Sequence, residues 1–383
     1  MASKELIRLY VLNVGAGSAN VIHFPKDDSA ILIDACNADV INDLLFNHLK
    51  ITSLPLIIIT HTDIDHIEGL PKIIETCAIE KTKIGTIHFN NDKIPNDSSK
   101  LRETIEQIIK YRETGIINIS QRKHAGIDDE HAMNFSIAGA RPSTTCKMFY
   151  PYPLNVDIAV KKKKPNLASV VLQVIVFDKT ILFTGDLPLK GWTEIEKNLE
   201  NKALQHSSED LLSDVFIVPH HGGRIQDGTG SRVDQKTATT KILSMVKPCF
   251  ALVSAGEKYD HPLPAVIEAI VEDNKIKQVI CTGMSQSCMN DKENNETILK
   301  EIKQFYKEKL NKSSKDRSYE IFSLGSNADV IPCGGTIQVI IEDGEEITLL
   351  PSLSQRTEAL KKFFSLGEVL CGKIFRRPLA SSV

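Results

Sequence analysis

The chain has 383 residues, 42% of them hydrophobic and 25% charged, with a formal net charge of −3. This is an ordinary soluble globular composition, long enough for one large domain or two smaller ones, and it excludes collagen-like or disordered chains. No global basic field advertises nucleic-acid binding, so such binding would need a local groove.

The eight cysteines, at 36, 77, 146, 249, 281, 288, 333 and 371, form no Cys-x-x-Cys pair. That favours reduced thiols over a disulfide framework or a thiolate zinc site. The N-terminal residues show no secretory h-region, and no uninterrupted apolar stretch reaches the length of a membrane span. The expectation is a cytoplasmic chain with no membrane segment.

In chain order, Leu6 to Val14, Ala19 to Phe24 and Ala30 to Ile33 read as strands, with a hairpin turn at Lys26-Asp27-Asp28-Ser29. Helical spacing follows over Ala38 to Leu49. Leu56 to Thr60 is a β-branched strand, then a helix-like stretch begins at Ile67. Lys83 to Phe89 reads as a strand and Leu101 to Arg112 as a helix; 117–153 is mixed, with only weak strands. Strands at Ser169 to Phe177 and Ile181 to Thr184 precede a Lys- and Glu-rich helix and a strand over Asp214 to Pro219. Thr237 to Val246 and Leu263 to Val271 read as helices, Phe250 to Ser254 and Gln278 to Cys281 as strands.

Residues 286–328 form a polar insertion with one expected helix, 296–310. A hairpin over 335–350 then turns at Asp343-Gly344, and a tail over 352–383 is expected to be helical near 358–364. Strand blocks separated by helices in both halves predict an α/β layered fold, two sheets with helices outside. The first 351 residues form the expected domain.

The segment His61-Thr62-Asp63-Ile64-Asp65-His66 places two imidazoles and two carboxylates where a buried strand ends and a helix begins. Open α/β sheets place ligands at such edges, and these side chains bind borderline and hard divalent cations. A blander reading makes Asp65 an N-cap with Glu68 completing a capping box. It explains one carboxylate and leaves three ligand-type side chains unexplained. Asp34, Asp186, the pair His220-His221 before two glycines, and His261 also sit at or just after strand ends. A two-metal hydrolytic site needs such a set, with a carboxylate able to bridge.

These blocks in this order resemble the metallo-β-lactamase superfamily. Within it, they resemble the hydrolase domain of the competence protein ComEC. The opening turn Gly15-Ala16-Gly17-Ser18, the motif with Asp63 where a second His is usual, Asn166-Leu167-Ala168-Ser169, Thr184-Gly185-Asp186, Pro219-His220-His221-Gly222 and Asp260-His261-Pro262 carry the likeness. It covers about residues 6–285 and the closing hairpin. It departs in the turn, which lacks an acidic residue after the second Gly, in Ala35-Cys36 after Asp34, and in the missing isolated third His, near which Asn166 falls.

The resemblance implies a four-layer αββα sandwich and two divalent ions, Zn²⁺ or Mn²⁺. His61 and Asp63 would hold one ion with Asn166 nearby; Asp65, His66 and His261 would hold the other, and Asp186 would bridge. Asp34 and Ser169 would support. A water between the ions loses a proton near neutral pH and attacks the substrate, with Asp65 part of the catalytic set and His220 or His221 protonating the leaving group. Which late histidine is a ligand stays open at this point.

The implied reaction is phosphodiester hydrolysis, with nucleic acid or another phosphodiester as partner. Lys163 and Lys164, in the run Lys161-Lys162-Lys163-Lys164, are candidates for steering phosphate. Two alternatives stand beside it. One is a metallohydrolase of small esters, lactones or nucleotides. The other is a degenerate module that binds a protein through 286–328 or the tail.

Overall fold

The computed structural model describes residues 5–90, 99–120, 134–136, 144–200, 208–229, 231–256, 261–284 and 333–352. The insertion 286–328 and all but the first residue of the 352–383 tail, with the helices expected in them, lie outside the described residues.

Fifteen strands among the described residues make two sheets. The first holds β1 (Leu6–Val11), β2 (Ala19–Phe24), β3 (Ser29–Ala35), β4 (Ser53–Ile59), β5 (Lys83–Phe89), β6 (Ile117–Ser120), β14 (Ile337–Glu342) and β15 (Thr348–Leu350), in the order β15-β14-β1-β2-β3-β4-β5-β6. The second holds β7 (Asn134–Ser136), β8 (Thr144–Tyr150), β9 (Val171–Val176), β10 (Lys179–Phe183), β11 (Val215–Ile217), β12 (Phe250–Val253) and β13 (Gln278–Cys281), in the order β13-β12-β11-β10-β9-β8-β7. Each sheet is half antiparallel and half parallel. Pairing is parallel from β3 through β6 and from β10 through β13.

The strands alternate between two apolar environments, as a pleated strand buried on both faces must. Ile7, Leu9 and Val11 of β1, Ile31 and Ile33 of β3, Leu172 and Val174 of β9, and Ile181 and Phe183 of β10 join one core between the sheets. Their neighbours face outward instead. Tyr10, Leu32 and Ile57 meet the helices Leu70–Ile79 and Ser99–Arg112 through Ile73, Ile74 and Ile108. Leu182, Phe216 and Ala251 meet the helices Leu189–Glu200, Gln235–Val246 and Pro264–Glu272 through Trp192, Ile242 and Ile270. Three cores separate four layers, so the fold is the expected αββα sandwich.

Three local expectations change. The helix from Ala38 widens its turn after Asn42 and runs as a π-helix over Asp43–His48. The helix after His66 is broken into a turn at Ile64–Ile67 and a helix at Leu70–Ile79. Between them Gly69, whose N–H donates to the Ala35 carbonyl, packs where a Cβ would strike that oxygen. A helix also forms over Pro153–Lys162, opened by Pro at its first turn and a Tyr152–Asn155 capping box. Lys161 and Lys162 are its last turn, where cations suit the helix dipole, and Lys163 closes it in a left-handed conformation. The lysine run is therefore a helix terminus.

No helix among the described residues is long and apolar enough to cross a membrane.

Candidate metal centre

The parallel strands of both sheets end on the same side. Asp34 ends β3, the segment 60–66 follows β4, Asp186 follows β10, His220 and His221 follow β11, and Ser254 follows β12. The carboxyl ends of parallel strands are where open α/β folds gather ligand groups. Here two such edges face each other, joined by the hydrogen bond from Val170 N–H to the Thr60 carbonyl, 2.8 Å.

On the first side, His61 is fully buried. Its Nε2 lies 3.6 Å from Asp63 Oδ2 and 3.7 Å from Asp186 Oδ2. His66 Nε2 lies 3.5 Å from Asp186 Oδ1. Asp34 braces this side: one oxygen accepts from Thr60 N–H (2.8 Å) and Thr60 Oγ1 (2.9 Å), the other meets His66 Nδ1 at 2.8 Å. Asp63, not Asp65, stands at the N-cap of the short turn, and its side chain makes no capping bond there. The cap reading of Asp65 is thus replaced: its carboxylate points to His221 Nε2, 3.6 Å away. The Asp65 carbonyl accepts from Ser18 N–H (3.0 Å), and a Cβ on Gly17 would lie 2.7 Å from that same oxygen. The opening glycine turn therefore packs directly beneath the motif.

On the second side, Asp186 is buried and its N–H donates to Ser169 Oγ, 3.2 Å. His220 and His221 both take left-handed backbone conformations (φ 52° and 55°), and Gly222 follows at φ 70°. Left-handed backbone is costly for a residue with a Cβ, by about 1–2 kcal/mol each. This turn aims both rings inward. His220 Nε2 lies 3.5 Å from Asp186 Oδ2, with Nδ1 2.8 Å from the Arg224 carbonyl. His221 Nε2 lies 3.2 Å from His66 Nε2, with Nδ1 3.1 Å from the Ser254 carbonyl. His261 packs on the turn: its ring fills the space a Cβ on Gly223 would need, and its centroid is 5.8 Å from that of His220.

Burial opposes charge on Asp186, His66 and His221, yet neighbouring charges answer it. Burial would raise the Asp186 carboxyl, but His66, His61 and His220 hold it well below the usual carboxylate range. Burial would lower His66, but Asp34 and Asp186 hold it well above its ordinary value. His221 is pushed down to about 4 by burial, with His66 adding to it against Asp186 and Asp65.

These residues fit a divalent cation. The ligand atoms of His61, His66 and Asp186 lie within 4.8 Å of one another, as do those of Asp65, His66 and His221. Two donors about 2.1 Å from one tetrahedral ion sit about 3.4 Å apart, and the pairs above are 3.5–3.7 Å apart. His61 Nε2 and Asp186 Oδ1 are buried without a hydrogen-bond partner. Such atoms in a polar cluster call for an ion.

The structure thus gathers His61, Asp63, Asp65, His66, Asp186, His220 and His221, with Asp34 and Ser169 behind them. Of the late histidines, left open by the sequence, His221 stands with Asp65 and His66. His220 faces the oxygen of Asp186 that His61 also faces. Two left-handed residues in a row send adjacent rings to adjacent positions, which an extended segment would not do. Asn166, in the 3₁₀ turn Pro165–Ala168, makes no hydrogen bond to the cluster among the described residues. Lys163 and Lys164 are exposed. Sequence reasoning passed over Thr60, whose signal was a hydroxyl at the strand end immediately before His61, and Ser254.

No family model matches the chain, and no curated protein does. The chain is similar to three solved structures. The metallo-β-lactamase fold protein YhfI from Bacillus subtilis is 14% identical, with 73% of this chain and 96% of that one covered and a TM-score of 0.44. A diphosphatase of the PhnP family is 15% identical, covering 67% and 89%, TM-score 0.33. Zn²⁺-bound PqqB from Methylobacterium extorquens is 12% identical, covering 65% and 89%, TM-score 0.35.

Proposed function

We propose that the protein is a metal-dependent hydrolase, and that its substrate is a phosphodiester. The observation that carries the first part is the buried Asp186 carboxylate, set between three imidazoles with one oxygen unpartnered. One cation would be held by His61, Asp63, Asp186 and His220, the other by Asp65, His66, His221 and Asp186. A bound pair of divalent ions supplies Lewis acidity and a water acidic enough to act as nucleophile at neutral pH. The mix of carboxylates with imidazoles suits Zn²⁺ or Mn²⁺.

The chain's own groups do the rest. Asp63 and Asp65 add negative charge that balances the ions. Asp34 fixes the His66 ring, and Ser169 holds the backbone of Asp186. His261, beside His220 and outside both ligand groups, would donate a proton to the departing oxygen. The phosphodiester, and within it the nucleic-acid, reading rests on the ComEC-like motif with Asp63. The cytoplasmic location and the steering role of Lys163 and Lys164 belong to the same proposal.

The test loads the protein with Zn²⁺ or Mn²⁺ and offers bis-p-nitrophenyl phosphate, single- and double-stranded DNA, RNA, and a panel of small esters and lactones, beside Asp65→Ala. Turnover of phosphodiesters that is lost in Asp65→Ala is expected. Turnover of esters or lactones alone would replace the substrate class. Full metal occupancy with no turnover of any of them would overturn the proposal.

A further inference from the structure

We infer that Thr60 is a positioning residue that carries the orienting effect of Asp34 across to His61, so that one carboxylate sets both imidazoles of the first side, His66 directly and His61 through the hydroxyl. The inference rests on the metal-centre reading above and names a residue behind it.

Thr60 is buried at the end of β4, and its Oγ1 has four neighbours. It lies 2.9 and 3.1 Å from the two Asp34 oxygens, 3.3 Å from His61 Nδ1 and 3.2 Å from His66 Nδ1. A hydroxyl has one proton to give and two lone pairs to receive. The Asp34 carboxylate can only accept, and a charge-assisted bond is the stronger, so the Thr60 proton goes to Asp34. The hydroxyl oxygen is then left as the acceptor for His61 Nδ1, which must carry a hydrogen. His66 Nδ1 carries one too, given directly to Asp34 at 2.8 Å. His61 makes no hydrogen bond to Asp34 among the described residues, and Thr60 is its link.

With the hydrogen on Nδ1, the Nε2 atom of His61 presents a bare lone pair. That is the atom the structure leaves buried and unpartnered, facing Asp63 and Asp186. The atom that must bind a cation is kept free of a proton by a hydroxyl on the other side of the ring. Such outer partners fix ring tautomer and orientation, and losing one costs about 10–100-fold in metal affinity. The packing admits little else at this position. A Cβ on Gly185 would come within 2.9 Å of Thr60 Cβ, so the second side closes directly over the hydroxyl.

Thr60→Val keeps the shape and removes the hydroxyl; Thr60→Ser keeps the hydroxyl. The nitrogen-15 spectrum of the imidazoles in the metal-free protein reads the tautomer of His61 without any assay of activity. The Nδ1–H form is expected in the wild type and Thr60→Ser, and its loss in Thr60→Val. Calorimetric Zn²⁺ titration should show one of two equivalents weakened about 10–100-fold in Thr60→Val and both retained in Thr60→Ser. An unchanged His61 tautomer and unchanged Zn²⁺ affinity in a folded Thr60→Val protein would overturn the inference. A wild type that takes up no Zn²⁺ would overturn the hydrolase reading alone, and the tautomer would still decide the role of Thr60.

Discussion

The two sides of the candidate centre are built by different means. The side carrying His61 and His66 follows a regular strand and a short helical turn, and its rings are held by hydrogen bonds to Asp34 and Thr60. The side carrying His220 and His221 has backbone carbonyls behind its rings, but its aim comes from two left-handed residues and from glycines that leave no space unused. The first side rests mainly on polar chemistry, with a single left-handed residue in Asp34 (φ 60°), and the second mainly on backbone conformation. Polar substitutions should therefore be felt as lost metal affinity, and glycine substitutions as lost stability.

Asp186 belongs to both sides, so its loss should break the comparison altogether. Asp186→Asn is expected to lower hydrolysis by about 10³-fold or more, since the ions it helps to hold supply several kcal/mol of transition-state stabilisation. Metal analysis should show substoichiometric binding in a chain with unchanged far-ultraviolet dichroism. A variant that keeps both ions would show that the two sides do not share a carboxylate.

The sides separate in the next pair of variants. Asp34→Asn should weaken metal binding about 10–100-fold while changing the melting temperature little. Gly222→Ala should do the reverse. It places a Cβ at φ 70°, 2.6 Å from Pro262 Cβ, and should cost about 2–3 kcal/mol of stability. Denaturant melts of the metal-free proteins check the order. If Asp34→Asn proves the less stable of the two, the division between polar and conformational support fails.

The same division explains what the sequence disclosed. Near-continuous apolar runs such as Leu6–Val11 and Ala30–Ile33 announce strands because burial on two faces imposes them, and apolar spacing such as Leu263–Val271 announces a helix buried along one face. The first side was legible in the same way: His61 to His66 follow a strand whose end is visible. The second side was legible in its residues and not in their arrangement. Nothing in Pro219-His220-His221-Gly222 declares φ 52° and 55° in succession, so the sequence leaves open which late histidine stands beside Asp65 and His66. The helix at Pro153–Lys162 was hidden by the charge of its last turn, which reads as loop until the Tyr152–Asn155 cap is seen.

His23 offers the smallest and cleanest contrast with the buried histidines of the centre. It lies in β2 opposite Arg8, 5% exposed, and neither ring nitrogen has a hydrogen-bond partner. Burial pushes it down to about 4, Arg8 pushes the same way, and Asp28 opposes them weakly. The unfolded chain binds this proton below about pH 6.5 and the folded chain only near 4, so acid favours the unfolded state. The contribution of neutral His23 is complete above pH 6.5 and is lost as the pH falls toward 4. The loss amounts to about 1 kcal/mol at pH 6 and nothing measurable at pH 8. His23→Leu should therefore flatten the decline in stability between pH 8 and pH 5, as read by urea melts, while leaving Zn²⁺ affinity at pH 8 unchanged. A decline as steep in His23→Leu as in the wild type would assign the acid sensitivity to the histidines of the centre.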